Sequence, residues 1–246
     1  MNPSEKLTSL LIQAIKKKIA AKPNSRFLLA ISGGTSPLSL FRLWTGKYRN
    51  KIDWNSIELF WVDERCVPPE DSESNYGVAK KMLLDNVPLP ETCVHRIKGE
   101  EDPFAEAGRY SKVVRDLLKG SAGFDLVILG IGSDGHTSSI FPGQIHLLNT
   151  DKIYEESVNP YSGQKRIALT SKGILNSANL YFFISGPEKE KIISVISDNY
   201  GNPMYPAGYI MKEASNPMIF WENAGVESFI IHGIINKMQN VQIVSS

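Results

Sequence analysis

The sequence predicts an α/β fold, an open and mainly parallel sheet with helices on both faces. Three observations point to it. Short apolar runs recur along the 246 residues, helix-like stretches separate most of them, and polar or glycine-rich turns follow several of the runs. The clearest run, Phe124 to Leu129, is apolar at nearly every position rather than at alternate ones, which suits a parallel strand covered on both faces.

In chain order, residues 4–21 read as a helix, with apolar residues at Leu7, Leu10, Leu11, Ile12, Ala14, Ile15 and Ile19 and the basic run Lys16, Lys17, Lys18 on a solvated face. Strands follow over 27–31, 57–62, 124–129, 166–169, 180–184 and 218–221, and further helices over 37–44, 74–84, 103–118 and 187–197. Two helices carry start signals: Ser36 before Pro37 fits an N-cap followed by N1, and Gly186-Pro187 opens the later one. Residues 150–164 are polar, with a Pro and a Gly, and read as a loop or short excursion. From 225 to 246, Val226, Phe229, Ile230, Ile231, Ile234, Ile235 and Met238 keep helical spacing, so this C-terminal extension reads as a packed helix. With no repeat or linker in view, residues 1–246 are expected to form a single domain.

Composition narrows the function classes. A formal net charge of +1 without a long basic block argues against a nucleic-acid surface. The N-terminus lacks the pattern of a secretion signal and no apolar run approaches a membrane span, so a cytoplasmic location without a membrane partner is expected. The two cysteines, Cys66 and Cys93, have no CxxC spacing, which fits a reduced compartment and offers no zinc site. Cys66 adjoins Arg65, and a neighbouring cation lowers a thiol pKa, so a reactive thiol is one reading of that position.

Chemistry concentrates where strands end. The run Phe124 to Leu129 delivers Asp134 and His136 into a turn containing Gly130, Gly132 and Gly135, the place where an open α/β sheet binds ligands. His136 is the side chain there that titrates near neutral pH. After the first strand, Ser32-Gly33-Gly34-Thr35-Ser36-Pro37 joins two glycines and three hydroxyls to a helix start, either a phosphate cradle or a simple loop. No lysine follows the glycines as in a Walker loop, and G-x-G-x-x-G is absent. After the second strand come Asp63, Glu64 and Arg65: Arg65 suits a phosphate or carboxylate, and Asp63 is a base or an orienting acceptor. Ser72 to Tyr76 resembles a helix cap that orders this loop. Lys189 opens a helix after a strand, a second cation near the ligand edge or an ordinary solvated lysine.

Taken in order, S-G-G-T-S-P at 32–37, D-E-R-C-V-P at 63–68, G-I-G-S-D-G-H-T-S-S-I-F-P at 130–142 and G-P-E-K at 186–189 resemble the 6-phosphogluconolactonase family over residues 27–222. The resemblance implies the fold shared with glucosamine-6-phosphate deaminase and ribose-5-phosphate isomerase. It also implies hydrolysis of 6-phospho-D-glucono-1,5-lactone to 6-phospho-D-gluconate in the oxidative pentose phosphate pathway. Matched positions put Gly33, Gly34, Thr35, Ser36, Arg65 and Lys189 around the substrate phosphate, His136 beside the lactone carbonyl as general base, and Asp134 in support of it. Asp63, Glu64, Gly135, Thr137 and Arg166 stand as substrate contacts or supports. The implied reaction needs neither metal nor cofactor, and its partner is a small sugar-phosphate lactone bound by a monomer or small homo-oligomer.

Two departures from the family pattern are visible: Thr35-Ser36 reverses the usual order of hydroxyls, and Glu222 stands where the family often has Asp. The rival readings are an aminosugar-phosphate deaminase or isomerase and a non-catalytic sugar-phosphate sensor. Deaminases resemble the chain at D-G-H but continue into Asn-Glu-Pro, where this chain has Ile140-Phe141-Pro142. A regulator would need a DNA-binding module, and one helix-length segment precedes the first strand.

Overall fold

The computed structural model describes residues 2–34, 37–118, 120–222, 233–234 and 236–245. Helix α1 (Pro3–Ala21) starts where the Asn2 side chain accepts from Ser4 N, with Pro3 as its first residue, and buries Leu7, Leu11 and Ile15. The chain then enters β1 (Phe27–Ile31), all five residues of which are buried. Complete burial identifies β1 as an interior strand, and each of its large side chains contributes about 1.5–3 kcal/mol by leaving water.

From β1, helix α2 (Leu38–Thr45) leads to β2 (Ile57–Trp61), followed by β3 (Asp63–Arg65), α3 (Asn75–Met82), β4 (Val94–His95), α4 (Pro103–Leu118) and β5 (Leu126–Leu129). Next come α5 (Ile145–Asn149), β6 (Tyr154–Val158), β7 (Lys165–Leu169), α6 (Ser171–Leu175) and β8 (Leu180–Ser185). Helices α7 (Glu190–Asp198) and α8 (Pro206–Glu213) precede β9 (Met218–Glu222) and β10 (Gln242–Ser245). Among the described residues, seven strands form the main sheet in the order β10-β9-β8-β5-β1-β2-β4, every pair parallel. The chain therefore steps from β1 to β2 on one side and returns to β5 on the other. Right-handed crossovers that step in opposite directions put helices on opposite faces, and the gap between the ends of β1 and β5 is the topological switch point.

The structure corrects the reading of 166–169 as a strand of the parallel sheet. That segment lies in β7, the central strand of a second, antiparallel sheet ordered β3-β7-β6. Residues 150–164 are likewise more than a loop, because they contain β6. The second predicted strand ends at Trp61, and Val62 is the crossing residue: its amide donates to Ile31 O at 3.0 Å, while its carbonyl accepts from Leu169 N at 2.7 Å. One residue thus belongs to the hydrogen bonding of both sheets, and it carries Asp63 and Arg65 over the end of the first. Two buried tyrosines secure the crossing. Trp61 N donates to Tyr110 Oη at 3.2 Å, and Tyr154 Oη donates to Trp61 O at 2.8 Å.

At the end of the chain, Ile234 and Met238 are buried, but 242–245 do not continue a helix. They form β10, where Ile243 and Val244 suit an extended edge beside Ile219 and Phe220. Val226, Phe229, Ile230, Ile231 and Ile235 of the expected terminal helix lie outside the described residues, as do Thr35 and Ser36. Among the described residues, no helix is long and apolar enough to cross a membrane.

Candidate active site

At the switch point a small cleft is lined by the segments that follow β1 and β5 and by the second sheet. The β1 end supplies Ser32, Gly33 and Gly34, the β5 end Gly130 to Gly132 and His136 to Ser139, and the crossing sheet Asp63, Arg65 and Arg166. Helix α3 adds Asn75. Motifs more than 100 residues apart in sequence, 32–34 and 136–139, therefore face one space.

The β5 turn presents the imidazole. Asp134 Oδ1 lies 2.6 Å from His136 Nδ1 and also accepts the His136 amide at 3.1 Å. A carboxylate only accepts, so it selects the tautomer with the proton on Nδ1 and leaves the Nε2 lone pair available. Burial alone would raise the Asp134 carboxyl, but the hydrogen bond and charge of His136, its amide and the Tyr161 hydroxyl outweigh burial and hold it at about 2. Phe141 packs against the imidazole with ring centroids 4.5 Å apart. Gly132 is required here, since a Cβ would fall 2.2 Å from the His136 ring. Gly135 turns the chain at φ +86°.

Beyond His136 the turn stays strained and well tied. Ser138 and Ser139 both have positive φ, 52° and 56°, a conformation costing about 1–3 kcal/mol per residue. Ser138 Oγ lies 2.9 Å from both Val62 O and Leu169 O, so it is bonded where the two sheets meet. Ser139 Oγ donates to Asp63 Oδ2 at 2.5 Å, and Thr137 Oγ1 donates to Gly130 O at 2.7 Å. These bonds set the turn, and with it His136, against the crossing strand.

The crossing sheet brings two guanidinium groups together. Arg65 and Arg166 are direct partners in the β3–β7 register, and among the described residues the buried Nε of each has no hydrogen-bond partner. Arg65 is steered by the Glu73 carbonyl, and Arg166 Nη1 stands 3.9 Å from Asp63 Oδ2. Burial pulls the Arg166 guanidinium below its ordinary value, Asp63 opposes this, and the Arg65 charge adds to it. Both cations can still make paired contacts with a phosphate or carboxylate.

Several expected residues stand elsewhere. Glu64 is a brace: its carboxylate accepts the amides of Arg65, Asn75 and Tyr76 at 2.7 to 2.8 Å and the Ser74 hydroxyl at 3.1 Å, fixing the start of α3. Burial raises its carboxyl despite these bonds. Lys189 donates its ammonium to Ile131 O at 2.9 Å, supporting the turn behind His136 rather than lining the cleft. Burial raises the Cys66 thiol to about 11, which removes the expectation of a reactive thiolate. Asn75, Ser138 and Ser139 line the cleft without having been singled out for chemistry. The signal for Asn75 was its place just after a helix N-cap, behind the charged loop; the two serines were masked as tail residues of the histidine motif.

A polar crevice at the switch point of a parallel sheet, lined by an Asp–His pair and by the adjacent Arg65 and Arg166 guanidinium groups, defines an α/β protein built to act on a small anionic ligand. The family model for glucosamine-6-phosphate isomerases/6-phosphogluconolactonase matches residues 2–221, and the chain belongs to that family. It is 37% identical to a 6-phosphogluconolactonase of Treponema pallidum over 71% of this chain and 74% of the relative. A 6-phosphogluconolactonase of Haemophilus influenzae is 35% identical, with 78% of this chain and 82% of the relative covered. Among solved structures, a 6-phosphogluconolactonase from Shewanella baltica superposes with a TM-score of 0.74 at 25% identity, covering 89% of this chain and 92% of that one.

Proposed function

We propose that the chain hydrolyses 6-phospho-D-glucono-1,5-lactone to 6-phospho-D-gluconate, with His136 as the general base. One observation carries the assignment of roles: the imidazole held by Asp134 and the Arg65–Arg166 pair open into the same cleft. The relatives named 6-phosphogluconolactonase support the substrate.

In this reading His136 Nε2 takes a proton from water as the water oxygen attacks C1 of the lactone. The tetrahedral intermediate collapses by breaking the bond between C1 and the ring oxygen, which receives the proton back from the imidazolium. The carboxylic acid product then loses its own proton to solvent. Asp134 remains a carboxylate throughout and supports the imidazolium. Arg65 and Arg166, with the Gly33-Gly34 backbone and the Thr35 and Ser36 hydroxyls, hold the phosphate and fix the lactone against the base. Lys189 acts through the Ile131 carbonyl. Asp63 orients Ser139 and Arg166. The chain works as one cytoplasmic α/β domain, monomeric or in a small homo-oligomer.

The test is hydrolysis of freshly generated 6-phosphogluconolactone against its spontaneous background, with unphosphorylated gluconolactone alongside. Acceleration confined to the phosphorylated lactone is expected. No acceleration by folded protein would overturn the reading and direct the search to aminosugar phosphates.

A further inference from the structure

We propose that Asn75 is a specificity-determining residue that accepts a hydrogen bond from a ring hydroxyl of the substrate. This inference rests on the lactonase reading and deepens it. Asn75 is 2% exposed, yet it lines the cleft. Its Nδ2 donates to Asp63 O at 2.8 Å, and that bond fixes which way the amide faces, because a flipped amide would set oxygen against oxygen. Among the described residues Oδ1 has no hydrogen-bond partner. The side chain packs over Gly33, where an added Cβ would come within 2.0 Å of Asn75 Cγ and Oδ1.

A buried acceptor of fixed orientation at a ligand cleft calls for a donor. A phosphate oxygen is not one at neutral pH, and the neighbouring Arg65 and Arg166 already suit the anion. The hydroxyls on C2, C3 and C4 of a 1,5-lactone are donors. The backbone amide of Asn75 is held separately by Glu64 Oε1 at 2.7 Å, so the helix start does not depend on the side-chain carbonyl. Asn75 thus tells a polyhydroxylated lactone from a deoxygenated one.

The experiment compares kcat/KM of wild type and Asn75→Ala on 6-phosphogluconolactone and on its 2-deoxy, 3-deoxy and 4-deoxy counterparts. In wild type, one deoxy substrate should lose about 10- to 100-fold, the cost of leaving a buried acceptor unpaired. Asn75→Ala should lose a similar factor on the parent and discriminate little against that one analogue. Equal discrimination by both proteins across the series would overturn the inference while leaving the lactonase reading intact; absence of hydrolysis of the parent by wild type would overturn both. Should Asn75→Ala not fold, the side-chain amide resonance of Asn75 in wild type is followed during titration with 6-phosphogluconate and its deoxy analogues. One analogue should fail to reproduce the parent shift, and identical shifts for all would contradict the proposal.

Discussion

Arg65 and Arg166 face one another across the antiparallel β3–β7 pair, each with a buried Nε that no acceptor among the described residues meets. Like charges directly opposite in a sheet repel, and Asp63 at 3.9 Å offsets only part of this. An anion seated between them satisfies both. Arg65→Ala and Arg166→Ala are therefore expected to raise KM for the phosphorylated lactone by about 10- to 100-fold with little change in kcat. Loss of kcat with KM preserved would contradict the anchoring role.

Asp134 makes a pH prediction. Its carboxyl lies at about 2 in the folded chain against an ordinary 3.8, because the bonds and charge of His136 overcome burial. A folded value below the unfolded one means stability that is complete above about pH 4 and lost as pH falls toward 2. Denaturant titrations should show the gap between wild type and Asp134→Asn shrinking as pH falls from about 4 toward 2. A gap that widens on acidification would contradict the sign.

Gly132 is tested by adding one methyl group. Gly132→Ala should displace the imidazole, since the new Cβ would lie 2.2 Å from it, and lower kcat by about 100-fold or more. The fold should survive, as read by circular dichroism. Wild-type kcat in this variant would show that the histidine geometry is not critical.

Cys66 should be inert in the native protein. Burial raises its thiol to about 11, and Cys93 is 3% exposed. Mass spectrometry after iodoacetamide at pH 8 should find neither cysteine alkylated in the folded chain and both alkylated in urea. Rapid native labelling of Cys66 would contradict the burial argument.

Strands β1, β2, β5, β8 and β9 of the parallel sheet were legible because they are apolar on both faces; the two-residue β4 was too short to mark itself, and β10 falls where helical spacing was read. The second sheet was not: β3 is the charged triplet Asp63-Glu64-Arg65, and such residues form a strand only because Val62 hands the chain to Leu169. Arg166 was accordingly assigned to the wrong sheet, although it was named as a candidate. Asp134 and His136 could be read directly, as their bond spans two residues in sequence. Lys189 could not, because the choice between a ligand and the Ile131 carbonyl is made by tertiary placement. Glu64 was indistinguishable in sequence from Asp63, and alternation along β3 separates them: Asp63 lines the cleft and Glu64 turns away to cap α3.

The central claim is that His136 activates water while the arginines bind. Its most direct test is steady-state hydrolysis of 6-phosphogluconolactone by wild type and His136→Ala, corrected for the spontaneous rate. The account predicts kcat lower by about 100- to 10,000-fold with KM within a few-fold of wild type. A variant that keeps wild-type kcat and loses only affinity would contradict it.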